Sequence, residues 1–60
     1  MKFILSIKCD NAAFEDDPGE EVTRILQSLV EKLESGRRDS IVLHDVNGNR
    51  VGEAEFIEEK

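Results

Sequence analysis

Three oxygen-bearing side chains stand at alternate positions in Asp45-Val46-Asn47-Gly48-Asn49-Arg50-Val51-Gly52. That is how a loop spaces ligands for calcium. An EF-hand loop also requires glycine at its sixth place and a bidentate glutamate at its twelfth. Counted from Asp45, those places hold Arg50 and Phe56, and the flanking runs read as strands. The stretch is therefore expected to be a turn, with no metal. His44, the single histidine, precedes Asp45. Neighbours on a strand point to opposite faces, so the two form no ready dyad. Cys9, the single cysteine, falls at the end of the inward row of the first strand, where a thiol is expected to be buried and inert. A chain with one helix cannot readily enclose a substrate pocket of roughly 300 Å³ or more. No enzyme, catalytic residue or cofactor is expected.

The elements that must position these residues follow from periodicity. Phe3, Leu5, Ile7 and Cys9 alternate with Lys2, Ser6 and Lys8, which predicts a half-buried strand over 2–9, with Ile4 the one apolar residue outside. A loop follows from Asp10 to Asp16, with Phe14 tucked under the next element. Asp17 is placed as an N-cap, Pro18 suits the first helical position, and Glu20 can complete a capping box. Val22, Ile25, Leu26, Leu29, Val30 and Leu33 then draw one apolar stripe along a helix over 18–35. Gly36 is expected to end it left-handed, with Arg37 and Arg38 near its C-terminal dipole. Strands over 40–45 and 50–57 complete a β-α-β-β order.

The expected fold is a small α+β domain over 1–60, a three-stranded sheet with one amphipathic helix on one face. Strand order is open. If the first two strands lie parallel, the crossover between them should be right-handed. The hairpin turn has two constructions. A two-residue turn on Asn47-Gly48 would set His44 opposite Val51. A turn over Asp45 to Gly48, with Gly48 left-handed, would set Leu43 opposite Val51, and is favoured because Asp45 can bond the turn's own amides. Gly52 is expected to leave room for a closely packed neighbour.

Sixty residues with no Trp or Tyr leave Phe3, Phe14 and Phe56 as the only large anchors. A core this light is often completed by a second copy, so a homodimer is one expectation. The lone cysteine excludes an intramolecular disulfide and fits a reducing compartment. The opening run is too short and interrupted for a signal peptide, and no segment approaches about 20 apolar residues, so a cytoplasmic location is expected. The net charge of -6 argues against direct nucleic-acid binding and against an anionic membrane, and for a basic protein as partner.

The acids are concentrated. Asp10, Glu15, Asp16, Asp17, Glu20 and Glu21 occur with no intervening Lys or Arg, and Glu53, Glu55, Glu58 and Glu59 mark the last strand and tail. They can serve solubility and the helix dipole, or form a docking surface built from Asp16, Asp17, Glu20, Glu21 and Glu55 with exposed His44.

Residues 2–16 (KFILSIKCDNAAFED), 21–36 (EVTRILQSLVEKLESG) and 45–53 (DVNGNRVGE) together resemble a family of very short bacteriophage and prophage proteins. The family carries no established activity, and no site residue is transferred from it. The resemblance implies a setting, an infected or lysogenic bacterium, where small acidic proteins often bind and inhibit host proteins in the manner of anti-CRISPR and other anti-defence inhibitors. The reading is thus a non-enzymatic protein-binding module aimed at a basic or nucleic-acid-binding host protein. The alternative is a small accessory structural protein or homodimer with no host target.

Overall fold

In a computed structural model, residues 1–58 are described. Glu59 and Lys60, part of the expected acidic tail, lie outside the described residues. Strand β1 runs Lys2–Ile7, a single 3-10 turn Ala12–Phe14, helix α1 Pro18–Glu34, strand β2 Ile41–His44 and strand β3 Arg50–Ile57. The sheet order is β1-β3-β2, with both neighbours antiparallel to β3. β1 and β2 therefore run in the same direction with β3 between them, a split β-α-β arrangement. Among the described residues no helix is long and apolar enough to cross a membrane.

Helix α1 begins where its local chemistry dictates. Asp17 is the N-cap and its Oδ1 accepts from the Glu20 amide at 3.2 Å, with Pro18 in the first turn. At the other end, the Arg37 amide donates to Lys32 O and the Gly36 amide to Leu33 O. Gly36 sits at φ +102, so the helix closes in a Schellman motif. Arg38 Nη1 adds a further donor to Leu33 O at 2.9 Å, beside the Gly36 amide.

The core lies between α1, the 3-10 turn and one half of the sheet. Phe14, Ile25, Leu29, Ile41, Leu43, Val51 and Ala54 are buried together. The helix packs chiefly on β2 and on the 3-10 turn. The helix thus lies on one face of the three-stranded sheet as expected, but toward its β2 edge. Of the three Phe anchors only Phe14 is buried, and Phe3 is 41% exposed although its ring meets Phe56 at 4.8 Å.

β1 and β2 are shorter than their patterns suggested. β1 stops at Ile7, and Cys9 is exposed beyond the strand rather than buried in its inward row. The last rung is Lys8 N–H to Val51 O at 2.7 Å, after which the chain enters the loop before the 3-10 turn. β2 stops at His44 because Asp45 leaves the ladder to anchor the turn. That turn follows the favoured construction: Gly48 N–H bonds Asp45 O at 3.0 Å, Asp45 N–H bonds Asn49 O at 2.9 Å, and Gly48 lies at φ +85.

The expected partner of Leu43 is corrected. Leu43 lies opposite Gly52, while His44 lies opposite Arg50, so Val51 is an extra residue on β3. Such a bulge re-aims a side chain, and here it accompanies the burial of Val51 in the core. Gly52 is required by close approach. A Cβ there would collide with the backbone of Ser6 and Ile7 on β1.

Candidate functional site

Two buried carboxylates brace the hairpin turn, Asp45 against Asn11 and Glu21 from the first turn of α1. Asp45 is 4% exposed, and its oxygens are filled by donors. Oδ1 accepts from the amides of Asn47 and Asn49 at 2.9 Å each. Oδ2 accepts from the side-chain amides of Asn49 at 3.2 Å and Asn11 at 2.7 Å. Four N–H groups aim at this carboxylate, so the alternating Asp-Asn-Asn pattern organises a turn, with donors standing where a cation would need lone pairs. Burial alone would raise the Asp45 carboxyl, but the bonds from Asn49, Asn11 and Asn47 together hold it below its ordinary value.

Glu21 is the second buried acid, 7% exposed. It accepts from Arg24 Nε at 2.8 Å, from Arg24 Nη2 at 3.1 Å and from the Val46 amide at 2.7 Å. Arg24 Nη2 also donates to His44 O at 3.1 Å. The Arg24 hydrogen bonds, seconded by the Val46 amide against the cost of burial, hold the Glu21 carboxyl below its ordinary value. Val46 N–H projects from the hairpin apex, where a turn has no ladder partner to offer. Glu21 supplies one from the first turn of α1.

This arrangement sorts the expected docking residues. Asp16, Asp17 and Glu20 are exposed and line one open groove together with Ala13, Arg24 and Val46. Glu21 reaches the same groove but its carboxylate is committed internally, so it leaves the set of acids free to meet a partner. His44 is exposed and Glu55 half-buried. By strand alternation both belong to the sheet face away from α1, so the expected set divides between two surfaces. Among the described residues, no cluster of three or more His, Cys, Asp or Glu is placed to hold a metal.

The clamp had a partial signature in the sequence. Glu21 lies four residues before Ile25 and eight before Leu29, on the stripe the helix buries. A carboxylate there must find donors. Asn11 had no comparable signal, since its partner Asp45 is 34 residues away. No family model, curated protein or solved structure matches the chain.

Proposed function

We propose that the chain is a non-enzymatic protein-binding module that docks on a basic protein surface through Asp16, Asp17 and Glu20. The observation that carries this reading is the groove itself. Three exposed carboxylates stand along one open depression with Val46, 64% exposed, at its edge. The groove is positioned by the Glu21–Val46 and Asp45–Asn11 bonds, so its acids are presented on a braced scaffold. Fixed like charges attract a complementary partner over a Debye length and select against acidic ones, and an apolar side chain among them adds contact area. The resemblance to short phage proteins supplies the setting, a bacterial host. A basic host protein, including one whose groove normally holds nucleic acid, is the partner class this chemistry fits.

The test is capture of partners from bacterial lysate at low and at raised salt. It compares the natural chain with the Asp16→Asn, Asp17→Asn, Glu20→Gln variant, in which the asparagine that replaces Asp17 still caps the helix. A basic protein held by the natural chain, and lost both at raised salt and in the variant, supports the reading. Equal capture by both proteins, or no salt-sensitive partner, overturns it.

A further inference from the structure

β1 is an edge strand with half of its backbone unused. Lys8 N–H bonds Val51 O, and the ladder continues through Ser6 opposite Glu53, Ile4 opposite Glu55 and Lys2 opposite Ile57. Backbone groups alternate sides along an antiparallel strand. The amides and carbonyls of Phe3, Leu5 and Ile7 therefore point to the other edge, where no described strand lies. The side chains of these residues share the sheet face with Ile41, Leu43 and Ala54, which α1 covers over β2.

The helix leaves the β1 side of that face open. Arg24, Ser28 and Lys32 share a cleft with Leu43 and His44, so this flank of α1 leans over β2. At about 100° per residue, Leu26, Val30 and Leu33 turn to the opposite flank, on the side of β1. Val30 is 52% exposed and Leu5 39%. Phe3 at 41% and Leu5 at 39% are thus left exposed on the β1 half of this face, with the Phe56 ring beside Phe3. The chain's surface of 4340 Å² exceeds the roughly 4,000 Å² of a compact monomer of 6.8 kDa. Its radius of gyration, 12.2 Å, likewise exceeds the value of about 10 Å for its length.

We propose that β1 pairs antiparallel with β1 of a second copy across a twofold axis. The product is a continuous six-stranded sheet with both helices on one face and the exposed Phe3 and Leu5 side chains of both copies between them. A twofold axis brings one surface against itself, so the open edge needs no second patch elsewhere on the molecule. The charge distribution favours the same contact. Residues 1–9 contain Lys2 and Lys8 and no acid, in a chain of net charge -6. The contacting strand itself carries no acid, although Glu53 and Glu55 flank it on β3 opposite Ser6 and Ile4, and Lys8 pairs with Asp10 at 3.7 Å.

Charge also selects the register. Leu5 against the partner's Leu5 would set Lys2 opposite the partner's Lys8, twice over. Ile4 against the partner's Ile4 sets Lys2 opposite Ser6 and Phe3 opposite Leu5, with no like charges facing across the strands. The second register also accounts for Ile4, 40% exposed on an otherwise polar row. The dimer contact is separate from the acidic groove, which lies at the helix N-terminus, so either can fail without the other.

Two measurements decide it. Light scattering is expected to give twice 6.8 kDa, falling to the monomer mass in Ile4→Lys with the circular dichroism spectrum retained. In a Cys9→Ser background, Ile4→Cys is expected to form an interchain disulfide at least tenfold faster than Lys8→Cys. Opposed residues of a non-hydrogen-bonded pair lie about 4.5 Å apart at Cα, within bridging range. A monomer mass at concentrations near 1 mM overturns the proposal. So does an Ile4→Cys chain that links no faster than Lys8→Cys, even if the protein is dimeric.

Discussion

Glu21 Oε2 accepts the Val46 amide at 2.7 Å, joining the first turn of the helix to the apex of a hairpin 25 residues away. The contact meets a need local to the turn, because a turn amide has no strand beside it. Removing the acceptor leaves Val46 N–H and Arg24 without their shared partner. Glu21→Ala is expected to lower the melting temperature by several degrees, and amide exchange at Val46 is expected to accelerate, measured by calorimetry and NMR. An unchanged exchange rate at Val46 would show that Glu21 does not hold the apex.

The two buried acids also set a pH dependence. Both Glu21 and Asp45 titrate below their ordinary values in the folded chain. A carboxyl depressed on folding contributes stability that is present above its unfolded value and is lost as pH falls through its folded one. The natural chain is therefore expected to outlast a Glu21→Gln, Asp45→Asn variant by a constant margin above about pH 5, with the margin closing below about pH 4. Melting temperatures of the pair across that range check the sign. A margin that widened on acidification would contradict it.

At Gly52 the constraint is steric. A methyl group there would strike the backbone of Ser6 and Ile7, which cannot yield without moving β1 off β3. Gly52→Ala is expected to cost about 1–3 kcal/mol, with the loss of protection concentrated in β1. Denaturant titration and hydrogen exchange give both readings. A neutral substitution would mean that β1 is not docked against Gly52.

Leu29 is buried at 3% exposure within the core cluster. Leu29→Ala is expected to cost about 2–5 kcal/mol. For 60 residues at roughly 0.05–0.15 kcal/mol each, that is a large part of the total stability. Val30→Ala, next to it but half-exposed, is expected to cost far less in the isolated chain. Denaturant midpoints of the two variants give the comparison directly.

Much of this architecture was legible in local signals. Asp17-Pro18 marked the helix start, Gly36 its end, and Asp45 with Gly48 the turn, since each acts within a few residues of itself. The long-range choices were not. Strand order, the bulge at Val51 and the Asn11–Asp45 bond depend on how distant segments meet, and periodicity carries no such information. The docking residues divide the same way. Asp16, Asp17 and Glu20 are close in sequence and share a groove, whereas His44 and Glu55 reached the other sheet face through the topology. Glu21 has acidic neighbours in sequence, but its position on the buried stripe governs its fate.

That Asp16, Asp17 and Glu20 form a docking edge is tested most directly by the affinity of a captured basic partner across a series of salt concentrations. Affinity is expected to fall as salt rises. Asp16→Asn, Asp17→Asn, Glu20→Gln is expected to weaken binding at least tenfold at low salt while flattening that dependence. An affinity that is independent of salt and unchanged in the triple variant would contradict the docking edge.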